Sequence, residues 1–297
     1  MKISALWEHN LKQDEFVSDN EFLNNLKQSF TNFKLSYWNP KNNGMRYFKM
    51  LLYNLAINLT SQQKLLILNT KNRHIGNPIS VDVDDLNICF DYLQAALETD
   101  YILCKWNPID VLEIGAGYGR TAHMILSNST ISQYTIMDLP ECLKICQHYL
   151  SKVLSSDHYN KLRFIDVLDH DSFVDLKHDL CLNINSFADM DRETVFEYLG
   201  LINENCNAFY CKNAVGKYWD PELDDHIQGS SVVKKAMQMG PLTDIVDIHD
   251  QDSVLSASKK FLKVYRPSGG WKTLSSSWAP PISHYWQAIY IKEKMIK

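Results

Sequence analysis

The sequence predicts an α/β protein in which a helical region, residues 1–105, precedes an α/β domain, residues 106–297. Three observations carry this reading. Asp110-Val-Leu-Glu-Ile-Gly-Ala-Gly-Tyr-Gly-Arg120 joins a short apolar run to three glycines at alternate positions and then to an amphipathic stretch ending at Leu126. Such a run makes a buried parallel strand, and a strand–glycine turn–helix unit lets the backbone approach a ligand at a helix N-terminus. From Asp110 onward short apolar runs alternate with helical stretches, the pattern of a sheet flanked by helices. Before residue 105, apolar residues recur at helical spacing instead.

In the first region, Phe22, Leu23, Leu26, Phe30 and Phe33 form one helical stripe, Met50, Leu51, Leu55 and Leu59 a second, and Leu86, Cys89, Phe90, Leu93 and Leu97 a third. Trp38-Asn-Pro40 and Gly76-Asn-Pro78 punctuate them. In the second region, Tyr134–Asp138 reads as the next strand, and Pro140 opens a helix through Leu150, since proline suits a first helical turn. Leu162–Val167 and Asp179–Ile184 read as further strands, Asp191 to Ile202 as a helix, and Ala208–Cys211 as a fifth strand. Phe261–Tyr265 and Trp286–Ile291 read as a last pair, separated by an irregular Ser-, Pro- and Trp-rich stretch from Arg266 to Tyr285. Connections that long are often functional loops.

Composition narrows the class. The chain of 297 residues is 45% hydrophobic and 22% charged, with net charge −5. No basic run marks a nucleic-acid partner, and no stretch approaches the ~20 apolar residues of a membrane span. Residues 1–20 lack the apolar core of a signal peptide, and the seven cysteines, odd in number and without a C-x-x-C, read as reduced thiols of a cytoplasmic protein.

The spacing of the glycine turn bears on its ligand. In Glu113-Ile-Gly115-Ala116-Gly117-Tyr-Gly119 the third glycine comes one residue earlier than in the dinucleotide fingerprint G-x-G-x-x-G, and an acidic residue precedes the turn. Glu113 would face cationic and N–H donor groups better than phosphates. The turn resembles the first motif of the class I S-adenosylmethionine-dependent methyltransferases, E/D-x-G-x-G-x-G. The resemblance implies a Rossmann-like sheet, mostly parallel with its last strand antiparallel. It places Gly115, Ala116 and Gly117 against the methionine part of S-adenosylmethionine, with Glu113 in the polar network around it. It further implies that Asp138 accepts hydrogen bonds from the ribose hydroxyls, that Leu139 touches adenine, and that Asp166 and Val167 meet the adenine ring and its amine. A helix cap before Pro140 is the alternative for Asp138, and a solvated strand end for Asp166.

Asn183-Ile-Asn185-Ser-Phe187 ends the fourth strand, where ligands of open parallel sheets sit. It lacks the N-P-P-Y-type motif of amino-group methyltransferases. Asn183 and Asn185 are placed to orient a substrate hydroxyl or the methionine amino group, or to bond the backbone. A hydroxyl acceptor is a poor nucleophile and is helped by a base. Among His226, His249 and His284, the last precedes the final strand and is best located; His284 with Asn185 as helper is the expected catalytic pair. The acidic run Asp244–Asp252 offers oxygen ligands to a divalent ion, but a solvated loop explains it, and no metal site is assigned. Trp271, Trp278, Tyr285 and Trp286 suit the apolar face of a pyranose, with the core as the alternative for Trp286; Arg266 suits a phosphate or carboxylate, with an exposed surface position as its alternative.

Residues 111–122, Asp-Leu-Pro (138–140), Asn-Ile-Asn-Ser-Phe-Ala-Asp-Met (183–190), Phe-Tyr-Cys-Lys-Asn (209–213) and His-Tyr-Trp-Gln-Ala (284–288) together resemble a bacterial sugar O-methyltransferase family, over about residues 75–291. The resemblance implies methyl transfer from S-adenosylmethionine to a hydroxyl of a sugar or nucleotide-sugar in surface polysaccharide biosynthesis. The N-terminal helices would then cap the cofactor, bind the acceptor or form a homodimer. Two other readings stand beside this one: a methyltransferase of a phosphorylated or amine-bearing metabolite, and a non-catalytic cofactor-binding scaffold.

Overall fold

The computed structural model describes Ala5 and residues 40–168, 177–218 and 230–293. The chain divides into two compact units, Met1–Ile57 and Asn58–Lys297. In the first, helix α1 spans Pro40–Ile57, with Asn43 outside helical geometry (φ −129°). It carries Met50, Leu51 and Leu55 of the second stripe, while the stripe from Phe22 to Phe33 lies outside the described residues.

The second unit begins with α2 (Ser61–Asn69), fixed by a capping box in which Gln63 N–H donates to Thr60 Oγ1 (3.2 Å) and Thr60 N–H to Gln63 Oε1 (3.0 Å). The third stripe is a hairpin and a helix rather than one helix. β1 (Ser80–Val83) and β2 (Leu86–Cys89) pair antiparallel, and α3 (Phe90–Leu103) starts after them. The connecting Asp84 and Asp85 both take left-handed φ, 49° and 61°, the geometry of a two-residue hairpin turn. Leu86 and Ile88 therefore point inward by strand alternation, not by helical period.

The main sheet is made of β3 (Asp110–Ile114), β4 (Gln133–Asp138), β5 (Leu162–Asp166), β6 (His178–Ile184), β7 (Cys206–Ala214), β8 (Trp271–Trp278) and β9 (Tyr285–Lys292). Its order is β5-β4-β3-β6-β7-β9-β8. All neighbours run parallel except at β9, which is antiparallel to both β7 and β8. The expected α/β sheet is present, with its last strand antiparallel and slotted one place in from the edge. The connecting helices are α4 (Arg120–Asn128), α5 (Pro140–Val153), α6 (Ser156–Tyr159), α7 (Arg192–Asn205), α8 (Ser230–Ala236) and α9 (Gln251–Val264).

Two elements differ from the sequence reading. Phe261–Tyr265 closes α9 instead of forming a strand, because Val254, Ser258, Phe261 and Tyr265 fall on one buried helical stripe. Asp250 Oδ2 caps that helix at Ser253 N–H, 3.0 Å. The stretch between Arg266 and Tyr285 contains the whole of β8, an edge strand whose Ser275–Ser277 core is too polar to announce itself.

Helices cover both faces. Leu112 and Ile114 enter a core shared with α7 and α9, while Val111 enters a second core with α3, α4 and α5. α2 and α3 are tied into this unit, for instance by Gln63 Nε2 to Asp100 (2.8 Å) and Asn128 Nδ2 to Leu66 O (3.1 Å). The compact unit starts at Asn58, whereas the periodicity of apolar residues changes near residue 105. β4 and β6 flank β3 and the chain leaves β3 in both directions, so a crevice opens beyond its carboxyl end.

Candidate functional site

The turn at that end is held by main-chain constraint. Gly115 and Gly117 both have left-handed φ, +75° and +58°, which glycine takes without penalty. Their surroundings differ. A Cβ on Gly115 would collide with the Ser186 side chain, whereas one on Gly117 would meet nothing within 4 Å. Gly115 is thus pressed against the protein and Gly117 faces open space. Ser186 is placed by Asn183, whose Nδ2 donates to Ser186 Oγ (2.6 Å) and to Ile114 O (3.0 Å). Asn183 Oδ1 accepts from Phe187 N–H (3.3 Å) and Asn213 Nδ2 (2.8 Å). Asn183 is fully buried, and it ties the ends of β3, β6 and β7 together rather than reaching into the crevice.

Asp138 ends β4 beside this turn. Gly117 N–H donates to its Oδ2 (3.0 Å) and Leu139 N–H to its Oδ1 (2.8 Å). Asp166 is its register partner on β5, with one carboxylate oxygen accepting from Leu168 N–H at 2.8 Å. Leu139 is exposed and Val167 half-buried, so the ends of β4 and β5 present two carboxylates and an apolar side chain to solvent. Glu113 behaves otherwise. It is buried, its Oε2 accepts from Tyr134 OH at 2.8 Å, and burial pushes its pKa up to about 7.

A cavity of about 470 Å³ opens on the other side of β6. Asn185, His284 and Tyr285 line it together with Asp189, Lys217 and Tyr218. The structure thus brings His284 and Tyr285 together with Asn185, which lies 100 residues before Tyr285 in the chain. Tyr285 OH donates a short hydrogen bond to Asn185 Oδ1, and Asn185 holds a left-handed φ of 65°. His284 is wedged between the rings of Tyr218 (5.1 Å) and Tyr285 (5.0 Å). Burial, with the neighbouring His249, lowers its pKa to about 4, so the ring is neutral at pH 7. Its Nδ1 is buried with no hydrogen-bond partner among the described residues. Lys217 Nζ donates to Ala188 O (2.9 Å); burial lowers its pKa and Asp189 partly restores it.

Other expected contacts are not brought here. Trp271 is buried at the start of β8, with Nε1 on Asn203 Oδ1 (2.8 Å), at the sheet end opposite the crevice. Arg266 is exposed just past α9, immediately before that same strand end. A strand parallel to the sheet separates its first and last residues by its full length, so Trp271 and Trp278 cannot share one ligand ring. Trp278 lies at the crevice end, beside a second cavity of about 460 Å³. His226 falls outside the described residues. In the acidic run, Asp247 Oδ1 accepts from His249 N–H (2.9 Å), Asp250 caps α9 and Asp244 pairs with Lys260 (2.5 Å). Among the described residues no three His, Cys, Asp or Glu side chains are grouped to hold a metal.

No family model matches the chain, and no curated protein does. Solved structures give weak likenesses. The methyltransferase domain of bacterial CtHen1 aligns at 14% identity and TM-score 0.47, covering 67% of this chain and 97% of that one. The mitomycin 7-O-methyltransferase MmcR aligns at 12% and 0.43, covering 68% and 56%. Human N-acetylserotonin methyltransferase aligns at 15% and 0.40, covering 68% and 54%. At these scores the likeness carries no argument about substrate. No helix of the described residues is long and apolar enough to cross a membrane.

One feature of the site has no local signature. Glu98 of α3 is buried between Arg120 of α4 (3.0 Å) and Lys212 of β7 (2.7 Å), and Lys212 Nζ also reaches Gln94 (3.3 Å). Burial alone would raise the Glu98 pKa, but the two cations reverse this and hold it below the ordinary carboxylate range. Lys212 O in turn accepts from Asn185 N–H (2.8 Å). The buried lysine between Cys211 and Asn213 was the only available hint, and its partners lie far away in sequence.

Proposed function

We propose that the protein is an S-adenosylmethionine-dependent O-methyltransferase whose acceptor is a hydroxyl of a sugar or sugar-derived intermediate. The observation that carries this is the pairing of the Gly117 turn with Asp138. A left-handed glycine facing open space, its N–H on a carboxylate at the next strand end, leaves room for a ribose at the switch point. Asp138 would exchange part of that bond for the two ribose hydroxyls, Leu139 and Val167 would flank the adenine, and the main chain of 115–117 would take the methionine part. When bound, the cofactor supplies an activated methyl group to an attacking oxygen. The chain's own residues position the acceptor and take its proton. Neutral His284, whose ring lines the cavity, is the acceptor of that proton, and Asn185, steadied by Tyr285, orients the hydroxyl. Much of the rate would come from alignment and exclusion of water. The sugar class rests on the sequence resemblance; the cytoplasmic reading rests on the cysteine pattern, and a homodimer is one of the three roles open to the N-terminal helices.

The test is transfer of a labelled methyl group to a panel of sugars and nucleotide-sugars against amino-acid phosphates. Methylation of a sugar hydroxyl, lost on His284→Ala, supports the reading. Labelling of the phosphates or of amines alone moves the acceptor class, and cofactor binding without turnover of any acceptor favours a scaffold.

A further inference from the structure

The second cavity lies between the start of α9 and the ends of β8 and β9. Its walls include Ile248, His249, Gln251, Leu255, Trp278 and Trp286, with Ser283 at the rim. Trp278 and Trp286 are cross-strand register partners, so their side chains stand on the same face of the sheet. Trp278 is 46% exposed, yet its ring is fixed by Nε1 donating to Ile282 O at 2.8 Å. Trp286 packs one side on the core, but its Nε1 is buried with no hydrogen-bond partner among the described residues. A buried donor left unpaired is unfavourable. The cavity thus offers an immobilised indole platform with Gln251 and Ser283 beside it, and Trp286, which also lines it, carries the unpaired N–H.

We propose that this cavity is a second carbohydrate subsite, so that the acceptor extends at least one pyranose ring beyond the one being methylated. The proposal rests on the hydroxyl-acceptor reading above. The segment Ser283–Trp286 joins the two spaces: His284 and Tyr285 line the cavity with Asn185, while Ser283 and Trp286 line this one. His249 is close enough to His284 to lower its pKa. A ligand in one cavity is therefore one strand-start away from the other. A pyranose matches both kinds of surface. Its C–H face lies on Trp278, and its hydroxyls meet the polar side chains of Gln251 and Ser283. A purely aromatic ligand would leave those polar side chains unmatched. A volume of about 460 Å³ is within the range of small-ligand sites.

The test is direct titration of the full chain, followed by tryptophan fluorescence, with glucose, cellotriose, maltotriose and N-acetylchitotriose, and with indole as an aromatic probe. No cofactor is needed, so the outcome is separate from the methyltransferase reading. The expected result is that at least one trisaccharide binds, more tightly than glucose. Trp278→Ala should then weaken it about tenfold, the scale on which loss of an aromatic anchor is felt, while Trp278→Phe largely retains it. Leu255→Arg, which fills the cavity from its exposed wall, should abolish it with the unfolding midpoint unchanged. Binding of no trisaccharide, binding indifferent to both variants, or binding of indole alone would overturn the proposal. Trisaccharide binding in a protein that fails to bind S-adenosylmethionine would leave the subsite standing and remove the transferase.

Discussion

The two halves of the crevice are built differently. Around β3, β4 and β5 the surface is made by main chain: two left-handed glycines, backbone N–H groups on Asp138, and strand-end carboxylates in register. Beyond β6 it is made by side chains drawn from residues 185–189, 214–218, 232–237 and 284–285. The first half is specified within one strand–turn–helix unit and the next strand end. The second exists only after the whole domain has closed. A main-chain site suits an invariant ligand, and a side-chain site can change its acceptor without disturbing the turn.

The largest effect should come from the strut that joins the halves. Glu98→Ala would leave Arg120 and Lys212 buried without their carboxylate, a loss of about 3–5 kcal/mol. Chemical denaturation measures it, and a change under about 1 kcal/mol would mean the three groups are hydrated and independent. Next, Gly115→Ala and Gly117→Ala should separate. The first must displace Ser186 and with it the Asn183 tie, and should cost well over the ~1–2 kcal/mol of left-handed strain. The second should cost little more than that strain. Equal losses of stability would mean that the contrast between pressed and open glycines is unreal.

His284→Ala tests the side-chain half. Its expected cost is on the order of a hundredfold in kcat, with cofactor affinity unchanged. Because the folded pKa is about 4, activity should hold from pH 8 down to about 5 and fall below that as the ring takes a proton. An activity limb near pH 6.5 would place the base elsewhere.

A pH-dependent effect concerns Glu113. Its pKa rises from the ordinary 4.5 to about 7 on folding, so between those values the folded protein holds a proton that the unfolded chain has lost. Raising the pH through this window therefore removes stability. Glu113→Gln, which cannot ionise, should gain on the wild type from pH 4.5 to 7 and keep that gain above. His123, also lowered to about 4 by burial, and His284 act oppositely, costing stability as pH falls below their ordinary 6.5. They are common to both proteins and cancel in the difference. A pH-independent difference would mean that Glu113 is solvated.

The same contrast decides what was legible in the sequence. The glycine turn, its strand and helix, and Asp138 were readable because each constraint is local: a run of apolar residues, a left-handed position, a strand end before Pro140. The fold followed from their alternation. α9 was missed because the segment Phe261-Leu-Lys-Val-Tyr265 at its end looks like a strand until Val254 and Ser258 are counted with it. β8 was missed because an edge strand half in water needs no apolar run. The hairpin before α3 hid behind residues that suit a helix equally well, and only the Asp84–Asp85 turn separates them. In the site, His284 and Tyr285 were readable from position alone. Lys217 and Asp189, and the Glu98–Arg120–Lys212 group, draw their meaning from partners that no spacing reveals. Trp271 and Arg266 lie away from the crevice because β8 runs the length of the sheet from Trp271 to Trp278, and Arg266 precedes its far end.

The main-chain half of the crevice is the proposed cofactor site. The most direct measurement is calorimetric titration with S-adenosylmethionine and S-adenosylhomocysteine, on the wild type and on Asp138→Ala. The predicted result is micromolar binding, about −8 kcal/mol, that weakens at least tenfold in the variant while the unfolding midpoint stays put. No binding by the wild type, or equal binding by both proteins, would contradict it.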